Sequence, residues 1–269
     1  MKAVIVGSGN VAEAFAKAIA DKGAEHGVAL AGLAARNRAR GTALAERCST
    51  HFVSLSDPTG LPEADIYVLA VSDRAVSELS ENLRFPAGAT VAHTGGCIPL
   101  SELSDYIRHR AVIYPLQTFS AGRHADFGDI PVFIEASDRK AADTAGRLAR
   151  ALSAHVEETD SDTRALLHLS GAIACNLVNA LYAVASRVAG RAGFEFGILA
   201  PLVTETARKA VESGNPASVQ TGAAVRGDAR TVKRHMELLE KLMEHRFGET
   251  YAELSGEIRK TAEKHRTNP

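Results

Sequence analysis

A chain of 269 residues with 31 Lys plus Arg against 32 Asp plus Glu has a formal net charge of -1, which offers no electrostatic attraction to nucleic acid or to an anionic membrane. With 45% hydrophobic and 23% charged residues it has the composition of an ordinary soluble protein, long enough for about two domains. Cys48, Cys97 and Cys175 are odd in number, far apart and without a CxxC pair. That spacing argues against a disulfide framework or zinc ribbon, and with no signal peptide read at the start it favours the cytoplasm.

The elements follow in chain order. Residues 2–6 are a short Val- and Ile-rich run closed by Gly7, and residues 11–21 read as a helix with Val11, Phe15, Ala18 and Ile19 on one face. Further apolar runs at 28–35, 66–71, 90–93, 111–114 and 132–135 alternate with helical stretches. Near-continuous apolar strands separated by helices predict a mostly parallel, doubly wound sheet covered on both faces. Past residue 158 only helical periodicity remains, over 160–192, 196–213, 228–247 and 249–265. Gly193, the Gly214-Asn215-Pro216 turn, Gly222, Gly227 and Gly248 punctuate it. The expected organisation is an α/β domain over residues 1–157 and an all-helical domain over 158–269. Residues 171–189 are apolar enough to span a bilayer, yet they carry Asn176, Asn179 and Arg187 and lack an aromatic or basic belt. They predict a buried helix of a soluble domain.

Gly7-Ser8-Gly9-Asn10-Val11-Ala12 matches the dinucleotide fingerprint G-x-G-x-x-A, directly after a strand and opening a helix. Gly7 allows the tight turn, Gly9 lets the backbone approach a pyrophosphate at the helix N-terminus, and Ala12 lets helix and strand pack closely. This is the pattern of a Rossmann domain. The second strand ends in Ala35-Arg36-Asn37-Arg38, with no carboxylate until Glu46. Arg36, Asn37 and Arg38 suit the 2′-phosphate of NADP; the alternative is that the arginines open a solvated helix face. One charge-assisted hydrogen bond is worth about 1.5–3 kcal/mol, roughly a ten- to hundredfold preference. The loops carrying Val71 and Ser72, and Thr94 and Gly95, leave the carboxyl ends of strands, where they would meet the nicotinamide half. Gly95 and Gly96 would let a flat ring come close, or serve simple turn chemistry.

Hydride transfer also needs a group that gives or takes a proton. His168, opening the apolar helix, is the first candidate, with Asn176 and Asn179 further along to orient a substrate oxygen; the alternatives are a backbone-satisfied histidine and inter-helix amide bonds. His93, at the end of its strand, is the second candidate, or a structural histidine bonded to the next loop. Tyr114, Gln117 and Thr118 around Pro115 could contact substrate, and Arg226 could clamp a carboxylate or form a surface ion pair. No HExxH, Asp/Glu-rich loop, G-x-S-x-G elbow or Walker loop is present, so no metal site is expected.

Four stretches carry a family resemblance over essentially the whole chain: HTGG at 93–96, YPLQTFS at 114–120, HLSGAIACNLVNALY at 168–182 and QTGAAVRGD at 220–228. With GSGNVA and the LAVSD loop, they resemble the Rossmann-like proteins that carry the C-terminal domain of unknown function 2520. That family sits within the superfamily of 6-phosphogluconate dehydrogenase, pyrroline-5-carboxylate reductase and ketopantoate reductase. The resemblance implies a 6-phosphogluconate-dehydrogenase-like helical C-terminal domain that dimerises, and an NADP-dependent oxidoreductase. Leu169-Ser170-Gly171 and Thr221-Gly222 resemble parts of pyrroline-5-carboxylate reductase, which implies substrate contact at Thr221. Its PGGTT sequence is absent, so the likeness does not extend to proline-ring chemistry. The helix lysine of ketopantoate reductase has no counterpart either, because no lysine lies between Lys140 and Lys209. The expected activity is hydride transfer between NADP(H) and a small carbonyl, imine or hydroxyacid by a cytoplasmic homodimer. The alternative is a non-catalytic NADP-binding sensor or scaffold.

Overall fold

The computed structural model describes residues 1–56, 60–123, 125–242 and 245–267. Its first half is an eight-stranded sheet built from β1 (Lys2–Val6), β2 (Ala29–Ala35), β3 (Phe52–Ser54), β4 (Ile66–Leu69), β5 (Thr90–His93), β6 (His109–Pro115), β7 (Val132–Ala136) and β8 (Val156–Glu158). The strand order is β3-β2-β1-β4-β5-β6-β7-β8. Every pair is parallel except β6 with β7. This is the doubly wound, mostly parallel sheet that the apolar runs predict. The three-residue strands β3 and β8 were not among the expected elements.

Alternate residues of each strand divide between two cores, as a period of two requires. Ile5, Leu33, Val68 and Ile113 face one core with Phe15 and Ile19 of α1 (Asn10–Lys22) and Leu148 of α4 (Arg139–Leu152). Val4, Val6, Tyr67, Leu69 and Val91 face the other, with Val76 and Leu79 of α3 (Val76–Asn82). The Phe15 and Phe127 rings meet with centroids 5.1 Å apart. Helix starts are capped by side chains where the preceding loop supplies one: Asn37 for α2 (Arg38–Arg47), Asp138 for α4 and Asp160 for α5 (Ser161–Gly171). The start of α1 has Gly9 instead, with no side-chain cap.

The second half contains α5, a π-helical stretch (Ala172–Leu177), α6 (Val178–Arg191), α7 (Ala200–Ser213), α8 (Ala229–Lys241) and α9 (His245–Thr267). The chain divides into two compact units, Met1–Leu177 and Val178–Pro269. The sheet does end near the expected boundary after residue 157, but α5 stays with the first unit because its Arg164 is anchored there. Gly248 does not break a helix as expected; it lies inside α9. The helix over Ser161–Arg191 is long and apolar enough to cross a membrane, but it is not the buried helix expected. Leu166, Leu169, Ile173, Leu177 and Leu181 are exposed.

Candidate functional site

β1 delivers the chain into a turn that only glycine fits. Gly7 has φ +134°, and a Cβ there would lie 2.2 Å from the Ala70 carbonyl oxygen. Its N–H donates to the Ala34 carbonyl at 2.7 Å and the Ala70 N–H donates to the Val6 carbonyl at 2.8 Å, so the turn is stitched to both neighbours of β1. Ala12 is fully buried beneath it. Gly9 is different: it has an ordinary φ of -78°, and a Cβ there would meet nothing within 4 Å. What it leaves open is a cavity of about 470 Å³ outside the carboxyl ends of β1, β2 and β4, lined by Gly7 to Val11, by Ala35 to Asn37 and by Ala70 to Ser72. The first-turn N–H groups of α1 have no side-chain cap, and the helix dipole adds positive potential there. The cradle fits a dinucleotide pyrophosphate.

The rim over β2 is more tightly knit than the sequence suggests. Arg36 and Asn37 line the cavity, but Arg38, the first residue of α2, does not. The Asn37 side-chain oxygen accepts from the Arg40 backbone N–H at 3.0 Å, so only its amide NH2 is left to meet a ligand. Arg40, not singled out from the sequence, swings back to donate to the Asn10 side-chain oxygen at 3.0 Å. Asn10 in turn donates to the Phe119 carbonyl at 3.0 Å. Asn10 is therefore a brace between α1, α2 and the loop after β6, and Phe119 closes one side of the cavity.

A second cluster gathers at the carboxyl ends of β5 and β6. His93 is fully buried. Its Nδ1 accepts from the Gly95 N–H at 3.1 Å, and its Nε2 faces the Pro99 carbonyl at 3.3 Å. Burial, with the Arg164 charge adding to it, pushes its pKa down to about 4. Both nitrogens are engaged by the loop that follows, which favours the alternative of a structural histidine bonded to that loop. The glycines of that loop are closely packed by their neighbours. A Cβ on Gly95 would strike Ile98 at 2.5 Å, and one on Gly96 would strike the His168 ring, 2.4 Å from Nδ1. Neither Thr94 nor Gly95 lines the dinucleotide cavity, whereas Val71 and Ser72 do.

His168 of α5 thus lies on Gly96, and its Nδ1 shares a hydrogen bond of 3.1 Å with the Tyr114 hydroxyl at the end of β6. The two ring centroids are 5.8 Å apart. Burial, helped by the nearby Cys97 thiol and opposed by Arg164, pushes the Tyr114 phenol above its ordinary pKa. Tyr114 is buried while His168 keeps partial access to solvent. Behind them the fully buried Arg164 pairs with Glu135 of β7, a contact that the sequence reading missed.

The remaining candidates are exposed. Gln117 and Thr118 are exposed, and the Thr118 N–H turns onto the Gln117 side-chain oxygen at 2.7 Å. They line a separate, polar cavity of about 290 Å³. Asn176 is exposed in the π-helical stretch. Asn179, Thr221 and Arg226 belong to the second unit, where all three are exposed. There Asp228 caps α8 through Thr231.

Sheet order, glycine turn and open cradle define a dinucleotide-binding Rossmann protein. Residues 2–92 match the family model described as NADP oxidoreductase, coenzyme F420-dependent, and residues 130–258 match the domain of unknown function 2520. The Bacteroides fragilis protein BF3122, a "putative NADP oxidoreductase", is 32% identical, over 96% of this chain and 98% of that one, with a TM-score of 0.84. The chain belongs to the family of Rossmann-like proteins that carry the domain of unknown function 2520. Two less identical structures share its fold. Protein TM1727 from Thermotoga maritima is 20% identical, over 97% of this chain and 99% of that one, with a TM-score of 0.79. The Coxiella burnetii pyrroline-5-carboxylate reductase is 16% identical, over 95% and 97%, with a TM-score of 0.56. No curated protein matches the chain.

Proposed function

We propose that this protein is an NADP-dependent oxidoreductase acting on a small carbonyl, imine or hydroxyacid, with His168 as the proton donor and Tyr114 behind it. The observation that carries the reading is the Tyr114–His168 hydrogen bond over Gly96, at the carboxyl edge of the sheet that also bears the dinucleotide cradle. The NADP oxidoreductase model matched over the cradle and the Bacteroides fragilis relative support the cofactor. When bound, NADPH supplies the hydride. The chain supplies the proton: the buried phenol donates to Nδ1, which leaves the ring hydrogen on Nε2, turned to a substrate oxygen or nitrogen. Reduction then ends with the proton on that atom while Nδ1 takes the phenol's proton and solvent restores the phenol, and the reverse direction runs the same relay backwards.

Arg36 on the cavity rim supports NADP over NAD. Arg36→Ala should weaken NADPH binding by about tenfold or more while leaving NADH nearly unchanged; equal loss for both cofactors refutes the phosphate contact. The activity itself is tested with NADPH and a panel of keto acids, aldehydes and imines, followed by loss of NADPH absorbance. Tight NADPH binding without turnover on any member assigns a sensor instead.

We further propose a cytoplasmic homodimer. The exposed stripe of Leu166, Leu169, Ile173 and Leu177 follows helical spacing and calls for cover from another chain. A membrane span is the poorer account of the same helix, since its first turn holds the buried Arg164–Glu135 pair. Light scattering that shows a monomer at micromolar concentration overturns the dimer.

A further inference from the structure

We infer that the buried Arg164–Glu135 ion pair is a positioning device for the Tyr114–His168 pair; this rests on the reading of His168 as proton donor. Burial on α5 is inverted. Arg164 is its one buried residue, while Leu166 and Leu169 of the same helix are 66% and 54% exposed. A helix that buries its cation and leaves its leucines to solvent is not placed by hydrophobic packing within its own unit. Its rotation is set by where the guanidinium goes.

The guanidinium meets three partners at once. It pairs with Glu135 of β7, donates to the Ile98 carbonyl in the loop after β5 at 2.6 Å, and reaches the Ser161 hydroxyl at 3.4 Å. Ser161 donates to Glu135 at 2.9 Å and accepts from the Leu100 N–H at 3.2 Å. Arg164 and His168 are four residues apart, so they share one face of α5. Pinning Arg164 to β7 therefore fixes the azimuth at which the His168 ring leaves the helix. The same guanidinium, with Ser161, also holds Ile98 and Leu100, and so the loop whose Gly96 the ring rests on. One ion pair fixes both the ring and its seat, at a contact where a single added methyl would collide.

Stability does not explain the arrangement. Apolar residues of similar volume often match or exceed a buried ion pair, and here the Arg164 Nε has no hydrogen-bond partner among the described residues. Such a pair persists where orientation matters more than net energy.

The distinction is testable on the full chain. In wild type, imidazole nitrogen NMR should show the His168 ring in a single tautomer, with Nδ1 accepting from the Tyr114 hydroxyl and hydrogen on Nε2. The double variant Arg164→Met/Glu135→Leu should keep its melting temperature and NADPH affinity, yet give a mixture of His168 tautomers. Its turnover of any panel substrate should fall about a hundredfold, the scale of an ångström of misplacement. Arg164→Lys should restore the single tautomer in part. Should the double variant fail to fold, Ser161→Ala leaves the ion pair and removes the hydroxyl's bonds to Glu135, Arg164 and Leu100; it should still broaden the tautomer balance. An unchanged His168 tautomer in the folded variants overturns the inference. Failure of the functional reading looks different, because His168→Ala would then leave turnover intact while the ring measurement still reads positioning without any substrate.

Discussion

Gly7→Ala should destabilise the protein by roughly 3–5 kcal/mol, whereas Gly9→Ala should cost about 1 kcal/mol or less and lose the cofactor. The two glycines sit two residues apart in one turn, and their surroundings are opposite. At Gly7 the backbone is in a region that L side chains rarely adopt, with φ +134°, and the new methyl would lie 2.2 Å from the Ala70 oxygen. Strain and overlap both fall on the folded chain, since β4 cannot move away without breaking its pairing with β1 and β5. At Gly9 the backbone is ordinary and the methyl enters open space. That space is the cradle, so the loss should appear as a weaker NADPH dissociation constant, by tenfold or more on the scale of about 1.4 kcal/mol per decade. Chemical denaturation and NADPH titration of both variants check this. Equal stability for the two variants would contradict the turn geometry, and unaltered NADPH binding by Gly9→Ala would remove the pyrophosphate from its assigned place.

That contrast marks how far the residues alone can be read. The fingerprint is legible because its constraints are local: a strand, a turn and a helix start within a dozen residues. Strands such as Lys2–Val6 are legible because both faces are buried and the run is unbroken, while Phe52–Ser54 and Val156–Glu158 are too short to show a period. His93 is ambiguous in principle. A histidine ending a strand looks the same whether its ring serves a cleft or the next loop, and only the Gly95 N–H and the Pro99 carbonyl decide. Arg164 and Glu135 are 29 residues apart on a helix and a strand that each look ordinary, so nothing local announces their pairing. The helix over Ser161–Arg191 gives the opposite lesson. Apolar composition states that something covers a surface, and burial within the same chain is only one of the ways to meet that demand.

His168→Ala should lower turnover by about a hundred- to ten-thousandfold, the usual worth of a positioned general acid, with the NADPH dissociation constant unchanged. Tyr114→Phe should cost less, about tenfold, because the ring stays seated on Gly96 and loses only the bond to Nδ1. The decisive measurement is the double variant. If the phenol acts only through the imidazole, Tyr114→Phe added to His168→Ala should cause no further loss, since residues that act as one unit are strongly non-additive. If Tyr114 meets the substrate itself, the two losses multiply. Burial holds the phenol above its ordinary value near 10, so Tyr114 stays protonated through the neutral range, and Tyr114→Phe should leave the shape of the pH–rate profile there unchanged. Wild-type turnover by His168→Ala would move the proton donor to another group and leave the Tyr114 hydrogen bond a structural contact.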